Sequence, residues 1–169
     1  MTDAPLSPNT VVAFIADIFL RRGADSYLGE EVTMSEHMLQ GALLAQQAGA
    51  NDKLIAAVLL HDIGHYTNEF PEDALDRGID NHHDSAGAAV LEPYFPQTVV
   101  DCVRHHVAAK RYLCATDPDY FDRLSAASVH TLNLQGGPMT TDEVASFIKN
   151  SALEEIVQVR IWDDEGKVA

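Results

Sequence analysis

Residues 51–66 read NDKLIAAVLLHDIGHY, and the rest of the chain is best understood from this stretch. Asn51 is a favourable helix N-cap, and seven apolar residues follow at 54–60. The pattern predicts a buried helix from residue 52 to about residue 62, which Gly64 ends. At its C-terminal end this stiff helix presents His61 and Asp62, whose side chains can both bind one metal ion. A His-Asp dipeptide alone is usually accidental, so its meaning depends on the rest of the chain.

The chain on both sides of this helix has helical periodicity nearly throughout. Three capping boxes, at residues 33–36, 140–143 and 151–154, predict helix starts. The predicted helices are 11–22, 34–47, 83–91, 96–115 (with a break near His106 left open), 118–133, 141–149 and 152–163. Residues 66–81 are expected to form an acidic loop, with a short helix around 72–76 left open. We therefore predict one all-α domain of seven or eight helices over residues 1–169, with residues 1–7 as a flexible N-terminal segment.

Composition excludes several classes of partner. Aspartate and glutamate number 26 against 11 lysines and arginines, a formal net charge of −15. This charge disfavours binding to nucleic acid or to an acidic membrane surface. The first residues carry no basic stretch of the kind that begins a signal peptide, and the longest apolar stretch is too short to cross a bilayer. We therefore expect a cytoplasmic protein with no nucleic-acid or membrane partner; its oligomeric state is not predicted.

The chain has eight histidines, enough to suggest a metal site. His37 lies on the preceding helix, so a short turn between two antiparallel helices can bring it to His61 and Asp62. Further candidates are the doublets 82–83 and 105–106 and the aspartates 163–164 that follow Trp162. Imidazole and carboxylate ligands favour Fe, Mn or Zn over Ca. One such set makes one metal site, and two more histidines allow a second, with Asp62 bridging; spacing leaves the choice within each doublet open.

The pattern His…His-Asp…Asp resembles that of the HD-domain superfamily, in which these side chains bind metal. A narrower resemblance begins with Tyr27-x2-Glu30-x6-His37. It continues in the stretches HDIGHY (61–66), HVAAKRYL (106–113), QGGPM (135–139) and RIWD (160–163). Together they resemble the HD-domain mixed-valent diiron oxygenases that cleave organophosphonates, to which inositol oxygenase is a more distant relative. The resemblance covers roughly residues 20 to 167 and implies an HD-domain helical bundle.

The resemblance implies two iron ions, with O2 as co-substrate. It assigns the ligands of one iron to His37, His61, Asp62 and Asp163, and those of the other to His83, His106 and the bridging Asp62. It also implies that Tyr27 ligates the resting iron and that Glu30 holds it there. Once substrate displaces both, Glu30 is expected to face the cationic nitrogen of the substrate.

The implied substrate is a small zwitterion, a 1-hydroxyphosphonate with an amine or a trimethylammonium group on the next carbon. Cleavage of its C–P bond would give glycine or glycine betaine, and phosphate. Helical spacing places Lys110 one turn after His106 and His65 one turn after His61, where both can face a metal-bound anion. By resemblance Ser128 is a hydroxyl donor to the same anion, and Gln135 completes its surroundings. Arg111 and Arg160 are expected to be ion-pair partners of the acidic surface. His82, His105 and His130 are expected to be solvated or to lie around the metal ligands without binding the metal.

The choice between the two substrates rests on weaker signals. Gly41 lies one turn after His37, and glycine inside a helix costs about 1 kcal/mol relative to alanine. We interpret it as providing space near the site, which favours the bulky trimethylammonium group, a cation that also prefers aromatic surroundings. The alternative activity is that of a metal-dependent HD phosphohydrolase acting on a phosphate ester. A further alternative is an HD module that only binds a ligand or partner.

Overall fold

The protein is helical, in a computed structural model that describes residues 6–27, 30–67 and 82–169. Within these ranges the α-helices are α1 (Val11–Arg22), α2 (Met34–Gln47), α3 (Asp52–Leu60), α4 (Gly64–Thr67), α5 (His83–Leu91), α6 (Gln97–Thr116), α7 (Ala126–Leu134), α8 (Thr141–Phe147) and α9 (Leu153–Glu165). A 3-10 helix (Phe121–Arg123) lies between α6 and α7. The described residues contain no β-strand, only one isolated bridge between Ser26 and Thr33. The predicted all-α class is confirmed, with nine α-helices in the described ranges instead of seven or eight.

Local capping by side chains explains where several of these helices begin. Thr33 and Thr140 each form the predicted capping box, and the Asn51 side chain accepts from two backbone N–H groups of α3. The box predicted at residues 151–154 is absent. There Asn150 Oδ1 accepts from Ala152 N at 2.9 Å, so the chain enters α9 without Ser151 as its cap.

Two predicted helix boundaries were wrong. The helix expected over residues 118–133 is divided, because Leu124 is extended and the Ser125 side chain caps a new helix, α7. The helix expected to reach residue 62 ends at Leu60, after which residues 61–63 form a turn. In contrast, α6 runs through His106 without a break. The loop predicted at 66–81 begins in α4, and its remainder from residue 68 lies outside the described residues, as do residues 1–5.

Helix α6 lies at the centre of the packing. It contacts α3, α5 and α9, while α2 contacts α3 and α9. Fully buried apolar side chains such as Met38, Ile63 and Ile156 fill the spaces between these helices. Five helices (α2, α3, α5, α6 and α9) therefore converge on one interior region. None of the helices in the described part of the chain is both long and apolar enough to span a bilayer.

Gly41 has a different role from the one that the sequence suggested. A Cβ atom at this position would lie 2.7 Å from Val58 Cγ1 and 3.3 Å from the carbonyl oxygen of Trp162. The missing side chain therefore allows α2 to pack closely against α3 and α9, and it does not provide space for a substrate. The interpretation of Gly41 as a sign of a bulky substrate was wrong.

We expect Gly41→Ala to destabilise the protein although alanine is the better helix former. Helix propensity alone would stabilise the variant by about 1 kcal/mol, whereas overpacking costs about 1–3 kcal/mol. Urea unfolding measures the net change. Val58→Ala removes the clashing methyl group, so G41A should cost less in a V58A background. A G41A protein as stable as the wild type would contradict the close packing.

Candidate metal centre and substrate pocket

Asp62 lies between two pairs of buried histidines. Its Oδ2 is 3.6 Å from His37 Nε2 and 3.3 Å from His61 Nε2. Its Oδ1 is 3.3 Å from His83 Nε2 and 3.4 Å from His106 Nε2. Within the pairs, the Nε2 atoms are 3.1 Å and 3.0 Å apart. Each carboxylate oxygen thus faces its own pair of imidazoles, the arrangement expected of a carboxylate that bridges two ions.

The tautomers of three of these rings follow from their Nδ1 partners. Backbone carbonyls lie at hydrogen-bond distance from Nδ1 in His37 (Gly166 O, 2.9 Å), His61 (Val58 O, 2.7 Å) and His106 (Val103 O, 2.7 Å). Because a carbonyl only accepts, Nδ1 carries the hydrogen, and Nε2 of a neutral ring has a lone pair. The lone pairs of His37 and His61 therefore point at each other, an arrangement that a cation between them stabilises.

The donor set fits two metal ions. Two ligand atoms that share an ion at about 2.1 Å, in octahedral or tetrahedral geometry, lie about 3.0–3.4 Å apart. The separations observed here, 3.0 to 3.6 Å, are close to that range. Asp163 Oδ1 joins the first pair, at 3.3 Å from His37 Nε2 and 3.6 Å from His61 Nε2. Asp62 Oδ2 and Asp163 Oδ1 are buried without a hydrogen-bond partner among the described residues, as unoccupied ligand atoms would be.

A close approach of backbone segments brings the second pair to Asp62. A Cβ atom on Gly64 would lie only 1.8 Å from the carbonyl oxygen of His83, so only glycine fits where α4 meets α5. Before this contact His82 adopts the left-handed conformation, with φ of 47°, which turns the chain so that α5 begins at His83. The glycine of the HDIGHY stretch therefore places His83, although it ligates nothing itself.

Helix α9 places the two adjacent aspartates in different surroundings. Asp163 faces the histidines, while Asp164 accepts hydrogen bonds from Arg160 and from the Tyr120 hydroxyl. Arg160 is 4% exposed, and its Nη1 donates to Asp163 Oδ2 at 2.5 Å. The expectation that Arg160 pairs with the acidic surface was wrong, because Arg160 is buried. Arg160 binds Oδ2 of Asp163, whereas Oδ1 of Asp163 faces the histidines. Its position three residues before Asp163 on one helix was the available signal.

Both aspartates of the cluster are anionic. Burial opposes ionisation of Asp62, but in the metal-free protein the charge of His61, with the nearby His106 and His37 rings, holds the pKa of Asp62 well below the usual range. Burial also opposes ionisation of Asp163, whose pKa Arg160 and Lys167 hold well below the usual range. Two buried carboxylates that stay charged at neutral pH are suitable ligands for divalent or trivalent cations.

A cavity opens beside the second histidine pair. Among the residues that line it are the predicted Tyr27, His65, Lys110, Ser128 and Gln135. Lys110 is 3% exposed, and Nζ donates to Thr131 Oγ1 at 2.8 Å. Burial, and then the charge of Arg160, lower the pKa of Lys110 to about 7. Gln135 Oε1 is buried with no hydrogen-bond partner in the described part of the chain, so the cavity has both a cationic group and a polar atom ready for a ligand.

Tyr27 and Glu30 occupy different places at this cavity. The Tyr27 ring stacks on His37 with 4.0 Å between centroids, and it lines the cavity. Burial, then the charges of Asp62 and Asp163, raise the pKa of Tyr27 well above its ordinary value. Glu30 Oε1 instead accepts a hydrogen bond from Ser125 Oγ at 2.5 Å. The structure thus brings Tyr27 to the histidine cluster and Glu30 to the N-terminus of α7.

The remaining candidates lie away from the cluster. The His105 ring contacts Phe147, and Arg111 binds Gly137 O and Glu143. Sequence reasoning missed Thr131 and Lys167, which line the cavity beside Ser128. Thr131 lies one turn after Ser128 and was therefore detectable from helical spacing. No sequence pattern pointed to Lys167, which follows the end of α9.

We expect Arg160→Met to destabilise the metal-free protein by about 3–5 kcal/mol, because it leaves buried carboxylates unpaired. Iron affinity should fall about 10- to 100-fold, since Asp163 loses the group that orients it. Urea unfolding and iron titration measure the two effects. Arg104→Met, which breaks an ion pair between Arg104 and Glu92, is the control and should cost less than about 1 kcal/mol. Unchanged iron affinity in R160M would mean that Arg160 only stabilises the fold.

The chain is similar to one known protein family and to several known proteins. The HD domain family matches residues 34–132, which include all the candidate histidine and aspartate ligands except Asp163. The chain is 57% identical over 164 residues to a (1-hydroxy-2-(trimethylamino)ethyl)phosphonate dioxygenase, glycine-betaine-forming, of Leisingera caerulea, covering 97% of this chain and 84% of that protein. It is 44% identical over 144 residues to a hydroxymethylphosphonate dioxygenase of Gimesia maris, covering 85% and 72%.

A third relative is more distant. An uncharacterized protein of Acanthamoeba polyphaga mimivirus is 34% identical over 157 residues, covering 91% of this chain and 71% of that protein. The family match extends over more than half of the chain, and all three relatives align with most of it. The chain therefore belongs to the HD-domain family, and along nearly its whole length it is similar to dioxygenases of phosphonates.

Proposed function

We propose that this protein is a diiron dioxygenase that cleaves the C–P bond of a 1-hydroxyphosphonate. The single observation that carries the proposal is the Asp62 carboxylate with one histidine pair at each oxygen. The named activities of two relatives, 57% and 44% identical, support it. His37, His61, Asp62 and Asp163 would hold one iron, and His83, His106 and Asp62 the other. When bound, the iron ions would supply the activation of O2 that no side chain can perform.

The proposed substrate is 1-hydroxy-2-(trimethylammonio)ethylphosphonate. With O2 it would give glycine betaine, hydrogen phosphate and one proton, so C1 is oxidised to a carboxylate and the C–P bond breaks. Atom balance assigns one oxygen atom of O2 to the carboxylate and the other to the phosphate. The identity of 57% to a glycine-betaine-forming enzyme supports the trimethylammonium group over a primary amine. Because Gly41 provides no space, the support for this choice comes from the comparison and from the charges around the cavity.

The side chains around the cavity match a zwitterion of this length. Ser128, Lys110 and His65 lie along the wall that would bind the phosphonate, with Gln135 beside them. Ser125 Oγ accepts from Ser128 N at 3.1 Å and donates to Glu30, so Glu30 is held at a serine that lies three residues, about 4.5 Å of helix rise, before Ser128. Binding of the phosphonate at Ser128, with the carboxylate of Glu30 beyond it, would therefore orient the substrate with its nitrogen towards Glu30.

Tyr27 would control access to the first iron. Its ring is fixed against His37, and its hydroxyl is kept protonated in the metal-free protein by burial and by Asp62. Before substrate binds, Tyr27 would be a further residue that holds the first iron, and Glu30 would turn from Ser125 to keep Tyr27 there. Substrate would displace both side chains. We also keep the assignment of residues 1–169 to one domain as a proposal.

We expect the iron-loaded protein to release phosphate from the proposed substrate only in the presence of O2. Phosphate and glycine betaine should form in equal amounts. The ratio kcat/KM should be at least about tenfold higher than for the primary amine, which lacks the three methyl groups, or for hydroxymethylphosphonate, which has no cationic nitrogen. Anaerobic phosphate release from a simple monoester would indicate a phosphohydrolase instead, and preference for the amine would overturn the assigned nitrogen.

Asp62→Asn tests the bridge. The substitution keeps the volume but removes the charge that both ions share, so we expect loss of at least one iron per chain and loss of activity. Iron analysis and EPR measure the result. Asp119→Asn removes an exposed carboxylate and should leave iron content and activity unchanged. A diiron EPR signal that persists in D62N would show that Asp62 is not the bridge.

A further inference from the structure

We propose that Gln40 is a positioning residue for the first iron. It fixes residues 166–168, which we call the C-terminal strap, and the backbone of this strap holds the imidazole of His37. The inference rests on the part of the proposed function that assigns an iron to His37. The buried Gly166 carbonyl accepts from His37 Nδ1 at 2.9 Å. This contact fixes the ring so that Nε2 faces the other candidate ligands of the same iron.

The ring of His37 is held differently from the rings of two other candidate ligands. His61 and His106 donate from Nδ1 to the carbonyls of Val58 and Val103, each three residues earlier in the chain. Those carbonyls belong to α3 and α6, the helices that carry the rings, so each helix supplies its own anchor when it forms. His37 instead uses a carbonyl 129 residues further on, in the segment that follows α9. The orientation of His37 therefore depends on docking of the strap.

Gln40 binds the strap on the far side of Gly166. Its Nε2 donates to Val168 O at 2.7 Å, and its Oε1 accepts from Val168 N at 3.0 Å. The side-chain amide thus binds both backbone groups of one residue, as a neighbouring β-strand would. Gln40 lies three residues after His37, so both side chains are on one face of α2. Together they hold the strap at two points that are two residues apart.

The strap lies directly against α2 at Gly166. A Cβ atom on Gly166 would lie 2.9 Å from Gly41 N and 3.1 Å from the carbonyl oxygen of His37. A larger residue would push this part of the strap away from the helix. Close packing at Gly166 and the two hydrogen bonds of Gln40 at Val168 therefore restrain the chain on both sides of the carbonyl that His37 uses.

Docking of the strap and binding of the first iron should stabilise each other. The docked strap orients His37 before the metal binds, and a metal ion at Nε2 keeps Nδ1 directed at the Gly166 carbonyl. The coupling free energy between two such events is the same in both directions. Gln40 is not among the residues that line the cavity. An effect of Gln40 on iron binding would therefore pass through the strap.

Anaerobic titration of the metal-free protein with ferrous iron tests the inference without turnover. We expect Gln40→Met to weaken the binding of one of the two irons by about tenfold, since loss of a group that orients a metal ligand costs about 10- to 100-fold in affinity. Gln46→Met makes the same change at an exposed position of α2 and should leave both affinities unchanged. In a His37→Ala background no ring remains to be held, so Q40M should not alter the binding of the iron that remains.

Hydrogen exchange measured by mass spectrometry tests the coupling in the reverse direction. The Val168 amide donates to Gln40 only while the strap is docked, so its exchange reports docking. In the wild type, iron should slow the exchange of a C-terminal peptide that contains Val168 by up to about tenfold, the same factor as in the titration. In Q40M this slowing should be absent.

The outcomes separate this inference from the proposed function. If the wild type binds no iron, both fail. If it binds two irons and Q40M binds them equally tightly, or if iron does not slow exchange at Val168, only the inference is overturned. A loss of affinity that also appears in Q46M or persists in H37A would overturn it too, because Gln40 would then act through the general stability of α2.

A loss that needs His37, together with protection of Val168 by iron in the wild type alone, supports the role of Gln40. Phosphonate cleavage takes no part in these measurements. A protein that shows this pattern and releases no phosphate would therefore count against the proposed function and not against Gln40.

Discussion

The interaction on which the rest of the structure depends is the buried carboxylate of Asp62 between two pairs of imidazoles. A charge buried this deeply is costly unless it is compensated, and when their rings are neutral His37, His61 and His106 offer lone pairs instead of N–H donors at this point. Cations between the carboxylate and the imidazoles satisfy both requirements at once. The packing of five helices around one interior point is therefore also the geometry of a two-metal site.

Several features of the packing serve this arrangement. Gly64 allows α5 to approach closely enough for His83 to reach Asp62. Gly41 does the same for α2 and α9, which carry His37 and Asp163. Arg160 compensates the charge of Asp163 and Asp164 inside α9. Gly41 and Gly64 thus help to decide where the candidate ligands lie, so their role is structural.

The local charge of the cavity differs from the charge of the whole chain. A net charge of −15 argues against polyanionic partners. At the cavity, however, Lys110, Arg160 and Lys167 lie close to the candidate metal ligands, and Glu30 lies at the other side of Ser125. A small zwitterion can use both ends of such a site, whereas an extended polyanion would meet the acidic surface. Global composition therefore excludes a class of partner without describing the site.

The sequence by itself determined the all-α class, most helix positions and the set of residues that meet at the centre, because helical periodicity and capping are local properties. The family resemblance reached the same ligands, and comparison confirmed that family. Only the tertiary structure decided that Asp163 faces the histidines while Asp164 faces Arg160, and that Lys167 enters the cavity. The physical reason is that these choices depend on contacts between residues far apart in the chain, such as Gly166 O with His37 and Gln40 with Val168, which no local pattern encodes.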